Sequence, residues 1–162
     1  MRRQSGVAVF IGSGAALATG LLIGLAVTPA AAMDQQDLQQ LLQQGSCQSC
    51  DFSGGDMAGI RLHGSNLQGS TLEGTNLRGA RIVQADFSNV NLSDADLSGA
   101  LVQNTTLSGA TMEGTVLDGT VFDGADLTNV QGLNQLQLDA ACDDRRANVS
   151  ALSVGLTLAP CQ

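Results

Sequence analysis

Residues 85–99 read ADFSN-VNLSD-ADLSG, three consecutive five-residue units that each carry a large apolar side chain at the third position. The same spacing continues in both directions without a slip. Its sixteen apolar positions are Phe52, Met57, Leu62, Leu67, Leu72, Leu77, Ile82, Phe87, Leu92, Leu97, Val102, Leu107, Met112, Leu117, Phe122 and Leu127. Only 43% of the chain is hydrophobic, so an unbroken run of this length is signal rather than chance.

A five-residue period fits neither the 3.6-residue period of a helix nor the two-residue period of a strand, so the chain must turn once in every unit. Two residues after each apolar position stand the residue types that tolerate positive φ and tight turns. They are Gly54, Gly59, Gly64, Gly69, Gly74, Gly79, Gly99, Gly109, Gly114, Gly119 and Gly124, with Asn or Asp at 89, 94, 104 and 129. Short extended sides joined by corners predict a solenoid whose coils stack by backbone hydrogen bonds.

The units resemble the pentapeptide-repeat family, whose loose consensus is Ala, Asp or Asn, Leu, any residue, Gly. Ala85–Asn89, Ala95–Gly99 and Ala125–Asn129 match it closely. The resemblance implies an all-β solenoid, a right-handed quadrilateral β-helix of about four coils over residues 47–131. Sixteen inward apolar side chains then stack within a narrow tube, and the chain has four Phe but no Trp or Tyr.

The ends of a solenoid expose its core and an unpaired edge, so both ends need lids. Residues 33–46 predict an N-terminal capping helix, with Asp34 as N-cap, Asp37 three residues on, a Met33–Leu38 staple, Leu41 and Leu42 on the apolar face, and Gly45 at the end. Gly132 interrupts the repeat, and residues 132–162 predict a helical cap and tail. The cap helix is expected over 135–142, from an Asn134–Gln137 capping box and a Leu133–Leu138 staple.

The N-terminal segment predicts export. Arg2 and Arg3 precede an acid-free apolar stretch over residues 7–27, and Pro29 and Ala30–Ala32 follow as a cleavage pattern. Residues 1–32 are therefore expected to form a signal peptide, or alternatively an uncleaved membrane anchor. The predicted location is periplasmic or extracellular, or a thylakoid lumen if the source is photosynthetic.

The mature chain is strongly acidic. Loss of Arg2 and Arg3 changes the formal charge from −8 to −10, and the sequence has no Lys. Such a surface argues against nucleic acid and against anionic lipid as partners, because both require cations.

Four cysteines in an exported chain favour two disulfides. On the solenoid, Cys47 and Cys50 lie at the start of the rod, and Cys142 and Cys161 lie beyond its other end. A bridge cannot span that distance, so we expect Cys47–Cys50 and Cys142–Cys161. The Cys47-x-x-Cys50 spacing also permits a redox pair or a metal site, but neither a βαβ setting nor a second nearby pair accompanies it.

The sequence offers little for catalysis. His63 follows a central apolar residue, which is an outward position, and has no adjacent Ser or Cys pattern. Asp51, Asp86, Asp96 and Asp126 occupy the position where the repeat itself prefers Asp or Asn. We therefore expect no enzyme activity, cofactor or metal.

With twenty residues to a coil, Arg61, Arg81, Leu101 and Val121 form one outward column, two cations followed by two apolar residues. Exposed Leu101 and Val121 make this column a candidate contact patch for an unknown protein partner or for self-association, although isolated apolar residues on a rod surface are the more common explanation. Another face carries Asp51, Glu73, Asp94 and Glu113 with no Arg.

Two functions follow from these features. The first is an exported, non-catalytic structural or protein-interaction module, which touches a membrane only if the signal segment stays uncleaved. The second is implied by the resemblance, since some acidic pentapeptide rods mimic a DNA duplex and bind type II topoisomerases. That role requires the cytosol. A cysteine-based redox role is a third, minor possibility.

Overall fold

The computed structural model describes residues 33–143 and 156–161. The predicted signal segment, residues 1–32, and residues 144–155 and 162 of the predicted tail lie outside that range. Within the described ranges, none of the helices has the length and apolar content needed to cross a membrane.

Backbone pairing repeats every twenty residues. Strands β1 (Arg61–His63), β2 (Arg81–Val83) and β3 (Leu101–Gln103) form a parallel sheet in which residues twenty apart are partners. On the other sides, single parallel bridges keep the same offset, as between Asp51 and Thr71 and between Asp56 and Asn76. One turn of the chain therefore contains twenty residues, and the fold is a parallel β-helix.

The predicted core is confirmed. All sixteen central apolar side chains are at most 3% exposed and belong to one buried cluster. The small residues two positions earlier fill the remaining space, and several are Ser or Thr. Thr75, Thr115 and Thr120 each donate a 2.8 Å hydrogen bond to the carbonyl oxygen 23 residues earlier in the chain. These bonds satisfy the three Thr hydroxyl groups inside the tube, which offsets the cost of burying them.

The corners form as predicted. Each predicted Gly, Asn or Asp corner residue has positive φ, and so do Gln84 (φ 54°) and Ser49 (φ 56°), which the sequence did not indicate. At most corners the N–H three residues after the central residue bonds to its carbonyl, as from Ala80 to Leu77 at 3.0 Å. A left-handed residue at the third position of such a turn is the requirement of a type II turn.

Asp or Asn before the central residue has a local structural role. The Asp96 Oδ1 atom accepts from the backbone N–H of Ser98 at 2.9 Å and also from its hydroxyl. Asn91 and Ser93 repeat the arrangement. The Asp or Asn side chain therefore accepts a hydrogen bond from the backbone N–H two residues later, at the start of the turn. This is the ordinary role of Asp and Asn in turns.

Helix α1 (Gln35–Gln44) has the predicted termini, with Asp34 accepting from the Gln36 N–H at 2.7 Å and Gly45 in the left-handed region. Leu41 is buried in the core, but Leu42 is 59% exposed, so its predicted place on the apolar face is wrong. One residue further along the helix than Leu41, its side chain points about 100° away. Asp37 accepts from the Asp51 N–H at 2.7 Å, which ties the helix to the first repeats.

Helix α2 (Gln135–Ala140) has the predicted Asn134–Gln137 capping box but is two residues shorter than the expected 135–142. Cys142 lies instead in strand β4 (Cys142–Asp143), which pairs with β5 (Ala159–Pro160) and bridges Val121. Bonds of 2.9 Å from the Cys142 N–H to Thr120 and from Phe122 to the Cys142 carbonyl replace the helical ones. Cys142 is thus part of the ladder rather than beyond its end.

Candidate interaction surface

The predicted outward column exists. Arg61 pairs with Arg81, Arg81 with Leu101 and Leu101 with Val121, in an unbroken parallel register. Strands β1–β3 hold its first three members, because each strand has an inward residue at its centre and outward residues on both sides. We call these four residues, Arg61, Arg81, Leu101 and Val121, the mixed column.

The mixed column is less exposed at its apolar end than the sequence predicted. Arg61 and Arg81 are exposed, but Leu101 and Val121 are partly buried, so the prediction that these two apolar side chains are exposed is wrong. The coils above and below cover the stem of a side chain that stands on a sheet, whereas a long guanidinium side chain reaches past them. Val116, on the neighbouring side, is more open at 41%.

A second outward row lies beside the mixed column and consists of His63, Val83, Gln103 and Asp123. The Gln103 amide donates to the Asp123 carboxylate at 2.6 Å across one coil step. His63 is exposed on this row, at the predicted outward position. Among the eight residues of these two rows, Asp123 is the one that carries a carboxylate, and it lies at the C-terminal end, away from Arg61 and Arg81.

Charge pairing differs sharply among the arginines. Arg78, on the adjacent side, makes a 2.9 Å ion pair with Asp96. Within residues 33–143 and 156–161, no such pair involves Arg61 or Arg81. Arg61 and Arg81 are partners in the parallel register, and like charges on adjacent partner residues destabilise a sheet.

The predicted acidic face lies half a coil away. Asp51, Glu73, Asp94 and Glu113 are all exposed there, beside the bridged row that runs through Thr71. Ten residues separate this side from the mixed column along the chain, which is half of the twenty-residue turn. The rod is therefore acidic on one side and carries Arg61 and Arg81 on the other.

Two carboxyl groups have displaced pKa values. Hydrogen bonds from the Ser53 side chain and backbone lower the pKa of Asp51. For Asp96, partial burial raises the pKa, but hydrogen bonds from Ser98 and the bond and charge of Arg78 outweigh it and lower the pKa overall. Both carboxylates are thus held ionised by the turn geometry rather than prepared for proton transfer.

All four cysteines are joined in the pairings expected from the sequence. One disulfide links Cys47 to Cys50, with a Cα–Cα distance of 5.6 Å, and the other links Cys142 to Cys161 at 4.9 Å. Cys47 is fully buried in the inward register of the core. The second disulfide joins strand β4 to the residue that follows β5.

Asp37 lies beside the cysteine pair, a proximity that no sequence motif indicates. Its carboxylate and the Sγ atoms of Cys47 and Cys50 lie within 4.8 Å of one another. The metal-binding form of cysteine is the thiolate, whereas both sulfurs here are in a disulfide. The Asp37 carboxylate already accepts the Asp51 N–H, which assigns it a structural role.

The fold and its surface define a β-helical repeat protein, and comparison with known families agrees. The profile described as pentapeptide repeats matches in eight copies, over residues 46–82, 56–94, 72–109 and 95–131. Together these segments cover more than half of the chain. The chain therefore belongs to the pentapeptide repeat family.

Solved structures of other pentapeptide repeat proteins are similar to it. HetL, involved in heterocyst differentiation regulation in the cyanobacterium Nostoc sp. strain PCC 7120, shares 26% identity over 63% of this chain and 48% of HetL, with a TM-score of 0.39. A protein from the Arabidopsis thaliana thylakoid lumen shares 27% identity over 70% of this chain and 87% of its own, with a TM-score of 0.41.

QnrB1, a plasmid-mediated fluoroquinolone resistance protein, shares 18% identity over 62% of this chain and 61% of QnrB1, with a TM-score of 0.38. The chain thus spans about half of HetL and less than two thirds of QnrB1. A search of curated proteins gave no match.

Proposed function

We propose that this protein is an exported, non-catalytic structural or protein-interaction module. The observation that carries the proposal is the disulfide pairing of Cys47 with Cys50 and of Cys142 with Cys161, which leaves no free cysteine. Disulfides persist in oxidising compartments and are rare in the cytosol. The predicted signal segment, residues 1–32, is consistent with such a compartment, either periplasmic, extracellular or luminal.

The proposed architecture is a right-handed β-helix of about four coils, closed by α1 and α2. Burial at both ends supports these lids. Leu41 of α1 and Leu138 of α2 are at most 2% exposed within the same core cluster as the repeats. Gln137 of α2 also donates to the carbonyl oxygens of Met112 and Thr115, at 3.2 and 2.9 Å, which would otherwise face an open end.

A non-catalytic role is supported by the use of the polar residues. The Asp and Asn side chains of the repeat bond to their own turns, and the hydroxyls of Ser70, Thr75, Thr105, Thr115 and Thr120 bond to the backbone of the preceding coil. These groups are committed to holding the rod together. Its outward rows remain for contacts with another protein.

Fractionation of cells that express the full chain with a C-terminal epitope tag tests the export. We expect the tagged protein outside the cytosol. Its intact mass should equal that of a chain that starts at Met33, less four hydrogens for the two disulfides. A matched chain that starts at Met33 should stay in the cytosol. Full-length cytosolic protein with free thiols would contradict the proposal.

The acidic side of the rod favours one alternative, a DNA-mimicking rod that binds a type II topoisomerase. Its support is the row of exposed carboxylates at Asp51, Glu73, Asp94 and Glu113. Inhibition of DNA supercoiling by the purified rod, lost when Glu73 and Glu113 become Gln, would establish that role. No inhibition by a rod that is folded and present in excess would eliminate it.

A further inference from the structure

The mixed column changes character once along its length. Arg61 and Arg81 occupy the two N-terminal steps, and Leu101 and Val121 occupy the next two, in one continuous register. The first three of these residues begin the extended strands β1, β2 and β3. A ligand lying along the rod axis would meet two cations and then two apolar side chains.

We propose that this face binds a short protein segment that carries two carboxylates next to apolar residues. The carboxylates would pair with Arg61 and Arg81, and the apolar side chains would cover Leu101 and Val121. This inference rests on the proposed interaction function and specifies the chemistry of the partner.

Arg61 and Arg81 favour carboxylates as the partner groups. Two guanidinium groups in register repel each other, and within the described residues the rod supplies an ion pair to Arg78 but to neither of them. Two carboxylates, one at each arginine, offset this repulsion and can form the bidentate bonds for which guanidinium is suited. A polyanion such as a nucleic acid is disfavoured, because the chain beyond residue 32 has a formal charge of −10 once Arg2 and Arg3 are removed from the total of −8.

The size of the face favours a segment over a second copy of the chain. Three strand residues span about 10 Å and four stacked coils about 19 Å, so the face covers roughly 200 Å². A stable interface between two folded proteins needs about 800 Å² on each partner.

The charges of the rod also favour a short segment over a second copy of the chain. If the acidic face of a second copy met the mixed column, its carboxylates would also be buried against Leu101 and Val121, which is unfavourable.

The register also fixes the length of the segment. From Arg61 to Val121 there are three coil steps of about 4.8 Å, or about 14 Å in total. An extended segment along the axis covers this distance with about five residues, at roughly 3.3 Å per residue. A helix covers it with about ten residues, at roughly 1.5 Å per residue.

Selection from a random twelve-residue peptide display library on the purified, disulfide-bonded, C-terminally tagged protein tests the proposal. We expect the enriched peptides to carry two acidic residues followed by apolar ones. Arg61→Glu with Arg81→Glu should weaken the best synthetic peptide about tenfold or more, most strongly at low salt. Leu101→Ser with Val121→Ser should also weaken it.

Arg78→Gln is the matched control against Arg81→Gln, because it removes the same charge from outside the mixed column. Enriched peptides without acidic residues, no enrichment, or equal losses in these two variants would each overturn the proposal. A dimer seen by sedimentation and dissolved by Arg61→Glu with Arg81→Glu would assign the face to a second copy instead. Fractionation tests export separately, so a cytosolic location would remove the proposed function while leaving the peptide result intact.

Discussion

The Asp94 carboxylate occupies the space in which a side chain on Gly114 would begin. A Cβ atom built on Gly114 overlaps Asp94 Oδ1, and the same overlap joins Asn104 to Gly124. The two residues of each pair are twenty apart and both have positive φ. At these corners a Cβ atom would require the Asp or Asn side chain one coil earlier to move, in addition to the cost of the left-handed backbone; at Gln84 the residue one coil later is Asn104, so glycine is not needed at every such corner.

Gly114→Ala should destabilise the protein more than Gly79→Ala. Both positions have nearly the same φ, 67° and 63°, so both pay about 1–2 kcal/mol for an L residue in the left-handed region. A Cβ at Gly79 meets nothing within 4 Å, whereas one at Gly114 meets Asp94. Urea unfolding measures the difference. Asp94→Gly should rescue Gly114→Ala, and equal losses without rescue would show that the contact does not matter.

Ile82→Arg should abolish cooperative unfolding, whereas Val83→Arg should leave it nearly unchanged. Ile82 is 2% exposed and its adjacent residue is half-exposed, so only the first substitution buries a charge. The cost of an unpaired buried charge, at least several kcal/mol, is comparable to the whole stability of a small domain. Thermal unfolding by circular dichroism makes the comparison, and wild-type melting of Ile82→Arg would refute the inward register.

Arg81→Gln should stabilise the fold slightly, while Arg78→Gln should not. The first change removes a like-charge pair in register with Arg61, for which the expected gain is about 0.2–1 kcal/mol. The second removes the exposed ion pair with Asp96, worth about 0–1 kcal/mol. Both change the net charge equally. Urea unfolding at low salt should separate the two variants and 1 M NaCl should merge them; a salt-independent difference would exclude repulsion.

Removing the Cys142–Cys161 disulfide should loosen the C-terminal end before the rest of the rod. Its two cysteines are 19 residues apart, for which the chain-entropy account gives about 3 kcal/mol. In Cys142→Ala with Cys161→Ala, amide hydrogen exchange should accelerate at Phe122, which bonds to residue 142. The Leu72 amide, bonded to Asn91 within the rod, is the internal control. Equal acceleration at both amides would indicate global destabilisation instead.

Stability should fall as the pH drops below about 4, in part through Asp96. Its folded-state pKa lies below the ordinary value of about 3.9, so its contribution is present above that value and is lost as the pH falls through the lowered pKa. Asp96→Asn should flatten the acid limb of a plot of unfolding free energy against pH. Arg78→Gln should flatten it less, because the Ser98 bonds remain. An unchanged slope in Asp96→Asn would exclude this carboxyl.

The core and the corners could be predicted from the repeat because the position of a residue within its five-residue unit determines its burial and its backbone conformation. Phe87, Leu97 and their equivalents are buried, and Asn89 and Asp94 take the left-handed conformation, as their positions in the unit require. Gln84 has the same conformation although its residue type gave no signal. Its corner is fixed by neighbouring coils, including the bond from its N–H to Gln103.

The ends and the surface were less predictable because they depend on contacts between distant segments. Local capping signals located both helices, but the pairing of Cys142 with the Val121 side of the rod ended α2 early. The place of Arg61 and Arg81 in one column followed from the register. Arg78 has an ion pair, whereas Arg61 and Arg81 have none within the part of the chain that the structure describes, and this difference depends on where each side chain reaches.

The core of this protein repeats every five residues, whereas its outward columns repeat every twenty. One added or deleted five-residue unit leaves every later apolar side chain inside, but it moves each later outward residue by a quarter turn to the adjacent side. A unit added or deleted between Arg81 and Leu101 would therefore end their pairing in one column. We expect such a length change to preserve the core but to alter which outward residues are neighbours. Only an insertion or deletion of a multiple of twenty residues would preserve a binding surface that crosses several coils.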